Sequence, residues 1–276
     1  MNLKKMLGDA VPFALGMPAL VWQALFFYMP LLVVIVLSFK SLSFEYFTPF
    51  FTTSYGFVVV RTLALALATA VVCLLISYPV AYWIAFNVQP RWKEVLLFFL
   101  FIPYWTTYLL HVYAWMFVLE RGGVLNTVLL QLGLISTPIH FLNTTFAVLV
   151  VMVYCNLPFM LLPIYSSLEK FDIRLFEASY DLGATWWQMV WRVLVPLSMS
   201  GIRSGFFLVF VIAFGEFAIP ELIGGDRWMY VGTVIANFTV SAKTASLGAA
   251  FTLLTSLILL GVTVIIYGVT RRVARQ

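Results

Sequence analysis

The sequence predicts an all-α membrane protein with six transmembrane helices, on three observations. Of 276 residues, 63% are hydrophobic and only 10% charged, with a mean hydropathy of +1.02, whereas a soluble domain carries about 25% charged residues. That leaves too little polar surface to coat a water-soluble globule. The apolar residues fall in long unbroken runs rather than in the apolar–polar alternation of an outer-membrane strand. Backbone amides in hydrocarbon must find their partners within the segment, so such runs are helices.

Each run can span about 30 Å of hydrocarbon at about 1.5 Å per residue. The first extends from Pro18 to Phe39, the second from Phe57 to Phe86 and the third from Val95 to Leu119. The fourth, from Phe146 to Tyr165, holds Asn156, Pro158 and Pro163, which would kink or break it. The fifth extends from Gly201 to Pro220 and the sixth from Ala245 to Thr270. Lys4 and Lys5 precede the first run as in a signal peptide, but the stretch from Phe13 to Phe39 is too long for an h-region and no small-residue cleavage site follows. It is read as a retained first span.

Lysine and arginine set the orientation. With the N-terminus inside, the inner segments hold Lys4, Lys5, Arg91, Lys93, Lys170, Arg174, Arg192, Arg203, Arg271, Arg272 and Arg275, and the outer ones Lys40, Arg61, Arg121, Arg227 and Lys243. The first set outnumbers the second by eleven to five, so both termini are expected to be cytoplasmic, with residues 166–200 between the fourth and fifth runs. The net charge of +5 is scattered between the runs rather than gathered with aromatics on one face, which argues against nucleic acid as a partner. Cys73 and Cys155 both lie inside apolar runs, as small buried side chains do.

Within that segment, Leu168 to Pro196 is too polar to span and too poor in glycine to be a linker. Asp172 would cap a short helix in which Glu177 and Asp181 share a face at i, i+4 and favour the N-terminal turns. Leu175, Ala178 and Leu182 share a neighbouring face, and Gly183 would permit a sharp turn or a close backbone approach at the helix end. Trp186, Trp187 and Trp191 would also suit a helix lying on a bilayer, though such helices present basic residues where this one leads with carboxylates.

Residues 177–196, EASYDLGATWWQMVWRVLVP, resemble the EAA signature of ABC importer permeases: Glu-Ala-Ala, three residues, glycine, nine residues, and a closing Ile-x-Leu-Pro. Residues 99–126, 156–172 and 215–225 are similar to the permeases of polyamine (putrescine/spermidine) importers. Ser179 replaces the second alanine, and His111 stands where an arginine is expected before Val-Tyr-Ala-Trp. The resemblance implies the type I importer (MetI-like) architecture as one transmembrane domain, 1–276, with 166–200 as its cytoplasmic coupling segment. Glu177, Ala178, Ser179, Asp181, Gly183 and Pro196 would receive the motion of an ATPase. It also implies a second homologous permease, two copies of the ATPase and a periplasmic or lipid-anchored solute-binding protein. No cofactor is expected in this chain, with ATP and Mg bound by the ATPase.

Ionisable residues inside spans are functional candidates. Glu216, near the end of the fifth run, and Glu221 just beyond could form an electronegative mouth for a cation, unless Glu216 pairs with Arg61, His111 or another subunit. Arg61 itself reads as a snorkelling side chain at the end of the second span. Trp105 and Tyr113, with Tyr104 and Trp115, could stack on amine cations, and Asn156 could mark a break exposing backbone carbonyls to the pathway. Two rival readings use the same residues: a proton-driven secondary transporter through Glu216 and His111, and an intramembrane enzyme through His111 or His140. The sequence lacks G-x-x-x-x-G-K-[ST], H-E-x-x-H, C-x-x-C and G-x-S-x-G, and its two histidines are too few for a metal site. An ABC permease for ferric iron, an opine or another small solute is the nearest alternative of the same class.

Overall fold

Some prolines mark element boundaries, Pro90 and Pro103 among them, while Pro79, Pro158 and Pro163 lie inside helices. The computed structural model describes residues 16–39, 46–51, 53–172, 174–225, 228–240 and 244–273. Lys4, Lys5, Lys40, Arg227, Lys243 and Arg275, all used in the charge count, lie outside the described residues. The described residues are helical and contain no strand. In chain order the helices are α1 (Gly16–Ser38), α2 (Thr53–Phe86), α3 (Pro90–Phe101), α4 (Tyr108–Leu119), α5 (Val124–Gln131) and α6 (Thr145–Glu169). They continue with α7 (Arg174–Asp181), α8 (Trp186–Leu197), α9 (Met199–Gly215), α10 (Val231–Val240) and α11 (Ala245–Val273).

Four of the six expected spans are continuous helices: α1, α2, α6 and α11. The other two are bent. The run over 95–119 breaks at Pro103: α3 ends at Phe101, a 3-10 turn covers Ile102–Trp105, Thr106 and Thr107 are extended, and α4 leaves at 88°. Pro103 has no N–H to continue the α3 ladder; Ile102 before it stays helical at φ −50°, ψ −47°, and the chain turns extended after the 3-10 turn, at Thr106. The run over 201–220 stops at Gly215, Glu216 is extended with ψ 131°, and a π-turn forms over Pro220–Gly224. Upstream, α8 and α9 meet at 67° across Ser198. Hydropathy alone read both regions as single spans.

The fourth span holds where a break was expected. α6 is continuous through Pro158 and Pro163. Pro158 cannot donate to the Tyr154 carbonyl four residues back, and the Tyr104 hydroxyl donates there instead, at 3.3 Å, and also to the Cys155 carbonyl. Asn156 is buried and its amide donates to the Met152 carbonyl on its own helix at 2.8 Å.

The described residues up to 53, together with 235–257, form one compact unit. In it Phe50 packs its ring on Phe251 at 4.6 Å and edge-on against Phe238 at 6.0 Å, while α1 carries its apolar side chains outward along its length. Residues 54–234 with those from 258 onward form the second unit, centred on α6 and α9. Lipid removes the usual hydrophobic drive between helices, so close backbone approach matters most. Gly201 and Gly205 supply it as a G-x-x-x-G stripe. A Cβ on Gly201 would collide with the Pro163 carbonyl oxygen and lie 2.6 Å from Ser167 Cβ, and one on Gly205 would lie 3.0 Å from the Met160 carbonyl oxygen. α2 adds polar stitches to α6: Cys73 Sγ donates to the Val153 carbonyl at 3.6 Å and Ser77 Oγ to that of Leu157 at 3.4 Å.

Candidate functional site

The segment between α6 and α9 folds as two capped helices. Asp172 Oδ1 accepts the Arg174 amide at 3.0 Å, as the capping expectation required, and α7 carries Glu177 in its first turn. The inward face is Phe176 and Ser179. Phe176 packs in an aromatic socket, 4.9 Å from the Phe171 ring and 5.0 Å from that of Phe86 at the end of α2. Ser179 sits beneath the helix and donates to the Phe176 carbonyl at 2.7 Å, so a hydroxyl is accommodated without an outside partner. The Leu175–Ala178–Leu182 face is the outer one: Leu182 is 89% exposed, alongside exposed Glu177 and Asp181. Acidic and apolar groups thus share one exposed surface.

Gly183 closes α7 with φ +79°. Its amide donates to the Tyr180 carbonyl at 2.8 Å, and the Ala184 amide to that of Ser179 at 3.0 Å, the paired bonds of a Schellman motif. A Cβ there would meet nothing within 4 Å, so the glycine serves the turn rather than a close approach within this chain. α8 then opens with a reciprocal cap: Thr185 Oγ1 accepts the Gln188 amide, and Gln188 Oε1 accepts the Thr185 amide at 2.9 Å. The Thr-Trp-Trp-Gln string carries this capping-box signal, which the sequence reading missed. Pro196 lies in the last turn of α8, behind a π-segment over Val190–Leu194. With no N–H at Pro196, the ladder must shift register there. Beside α7, residues of α6 and α9 line a cleft of about 640 Å³, with Ser166, Ser167, Lys170, Ser200 and Ser204 on its walls.

The second candidate region surrounds the break after α9. Glu216 is half-buried, and its Oε1 accepts the amides of Ala218 at 2.9 Å and Ile219 at 3.4 Å, capping the turn that follows. Tyr108, at the start of α4, lies beside the Glu216 carboxylate. Arg61 is not its partner, because that guanidinium lies 4.1 Å over the Trp228 ring. His111 stands one turn along α4, its Nδ1 3.3 Å from the Thr107 carbonyl and its ring stacked 6.1 Å from that of Tyr104.

The structure therefore brings Glu216 and His111 to one neighbourhood with Tyr104, Tyr108 and Tyr154. Glu221 is exposed on the π-turn, and Trp105 and Tyr113 point outward, 75% and 46% exposed. Asn156 faces its own helix. Tyr108 and Tyr154 escaped the sequence reading: tyrosines abound in this chain, and only the fold separates these two from the rest.

A family described as "Binding-protein-dependent transport system inner membrane component" matches residues 77–275. The spermidine/putrescine transport system permease protein PotB of Haemophilus influenzae is 37% identical over 239 residues, covering 83% of each chain. The PotB protein of Escherichia coli K12 is 36% identical over 256 residues, 89% of this chain and 92% of that one. Among solved structures, a chain of a bacterial alginate ABC transporter, in complex with an alginate pentasaccharide-bound periplasmic protein, aligns with a TM-score of 0.79. It has 17% identity and covers 99% of this chain and 98% of that one, a likeness of fold. A family match across most of the chain, agreeing with these relatives and with an all-helical architecture of apolar spans, identifies the chain as a multi-pass member of the binding-protein-dependent transport system inner membrane component family.

Proposed function

We propose that this chain is one of two homologous permease subunits of an ATP-driven importer for polyamines, with both termini and the α7–α8 segment in the cytoplasm. The observation that carries the reading is the exposed outer face of α7, where Glu177 and Asp181 flank Leu182 on a helix fixed from behind by the Phe86–Phe171–Phe176 socket. Such a surface suits a cleft with an apolar floor and a basic rim. The family resemblance makes its owner a cytoplasmic ATPase that binds ATP and Mg itself, one copy docking on each permease. Closure of the ATPase dimer would pull the two coupling segments together, and the socket would pass that motion to α2 and α6. A solute-binding protein would deliver cargo from the outer side. The substrate class is supported by the relatives named as spermidine/putrescine permeases and by a half-buried carboxylate beside aromatic rings. Ferric iron or an opine is the alternative cargo for the same machinery.

Uptake of labelled putrescine and spermidine tests this in cells lacking polyamine import that express the chain with its neighbouring genes. Uptake is expected from the wild type and is abolished by Glu177→Lys, with membrane insertion unchanged. Wild-type rates in Glu177→Lys would remove the docking role and favour a transporter that needs no ATPase. Absence of amine uptake from assembled subunits would redirect the substrate search to iron and opines.

A further inference from the structure

Tyr104, Thr106, Tyr108, His111, Tyr154 and Cys155 line a cavity of about 70 Å³ at the α3–α4 break. Two of the hydroxyl protons around it are committed elsewhere. Thr106 Oγ1 donates to the Pro103 carbonyl at 2.8 Å and stands 3.4 Å from His111 Nε2, and Tyr104 donates to the carbonyls of Cys155 and Tyr154, while Tyr108 lies beside the Glu216 carboxylate. A hydroxyl has one proton and two lone pairs, so these oxygens still have lone pairs to offer. The rings of Tyr104, His111 and Tyr154 form a chain at 6.1 Å spacings. Among the described residues Glu216 has no cationic partner: its contacts are two backbone amides and a phenol. A carboxylate placed within a membrane-spanning bundle without a counter-charge is costly.

We propose that this cavity binds one terminal primary ammonium of the cargo, with Glu216 as the counter-ion behind Tyr108. The inference rests on the polyamine reading and adds a binding site within this subunit. A primary ammonium carries three N–H donors and no acceptor, the complement of hydroxyls whose own protons are spent. The aromatic faces attract its charge. A trimethylated head has no N–H to offer these oxygens.

The test uses the complete complex, reconstituted with its partner permease, ATPase and binding protein, and labelled putrescine. Tyr108→Phe keeps the ring and removes the oxygen, and Glu216→Gln removes the charge. Each should lower putrescine import roughly tenfold, the scale of one hydrogen bond to a charged group. Thr106→Val serves as a second acceptor deletion away from Glu216, should either of these fail to assemble. Methylammonium should inhibit wild-type import and tetramethylammonium should not. Wild-type import that is unimpaired in all the variants that assemble, or blocked equally by both ions, overturns this inference and leaves the polyamine reading intact. A wild-type complex that hydrolyses ATP but carries neither putrescine nor spermidine overturns both.

Discussion

At the end of α7 the free backbone carbonyls are closed by the backbone itself, through Gly183 and Ala184, and every charged side chain faces outward. Beyond the end of α9 the free amides that open the next turn are capped by a side chain, Glu216, which lies beside Tyr108 of α4. The first arrangement is local: it can travel as a unit, held from behind by the Phe176 socket. The second joins two separate stretches of chain, residues 216–219 and the start of α4, so parting them takes a neighbour from a half-buried carboxylate in an apolar setting, where such losses are expensive. A segment that must follow a partner and a site that must hold an ion differ in this way. The difference predicts that the two can be damaged separately.

The largest effect should come from the anchor. Phe176→Ala removes a buried ring that packs on Phe86 and Phe171, a change worth about 3–5 kcal/mol in a packed core. The expected result is uncoupling: the purified complex still hydrolyses ATP, but putrescine uptake falls by roughly tenfold or more, and putrescine binding is unchanged. Measuring hydrolysis, uptake and binding on the same preparation checks it. Binding that falls in step with uptake would mean the socket also shapes the amine cavity, and the separation drawn above would fail.

A smaller loss is expected at the joint between the two regions. Gly201→Val would press a side chain into the Pro163 backbone and Ser167, and Gly205→Ala would meet Met160 at 3.0 Å. Overpacking of this kind costs about 1–3 kcal/mol. Thermal melting of the detergent-purified permease should show Gly201→Val lowering Tm and Gly205→Ala lowering it less. An unchanged Tm for both would mean that α6 and α9 separate easily and that the G-x-x-x-G stripe is incidental.

What the sequence made legible follows the same division. Asp172 as a cap, the Glu177–Asp181 pair and the terminal Gly183 all act within one or two helical turns, so spacing alone exposes them. The bends at Pro103 and Glu216 were hidden because hydropathy sums over a window, and residues on either side of each bend are equally apolar. Pro158 misled in the opposite direction: a proline predicts a kink, but the Tyr104 hydroxyl supplies the bond it removes, from a helix some fifty residues away. The Leu175–Ala178–Leu182 face could be drawn from periodicity, but not its outward orientation. That depends on Phe86, at the far end of another helix. The proposed amine cavity had no sequence signal beyond Glu216 and His111, because its tyrosines come from the 3-10 turn after α3, from α4 and from α6 and acquire meaning only when adjacent.

The smallest predicted effect separates two meanings of one residue. Gly183 has a φ that L side chains adopt at a cost of about 1–2 kcal/mol, partly offset because a non-glycine residue has less unfolded-state freedom to lose. A Cβ placed there meets nothing in this chain. In the isolated permease, then, Gly183→Ala and Gly183→Lys should destabilise the end of α7 by the same amount, about 1 kcal/mol, and Gly183→Asn by less, because asparagine tolerates this conformation. Hydrogen exchange at Ala184, whose amide closes the turn, reads that cost directly. The same variants in the assembled transporter measure something else. If the ATPase approaches the backbone at Gly183, ATPase co-purification should fall from Ala to Lys although the turn is equally strained in both. Equal retention of the ATPase by the two variants would confine Gly183 to shaping the turn and leave docking to Glu177, Asp181 and Leu182.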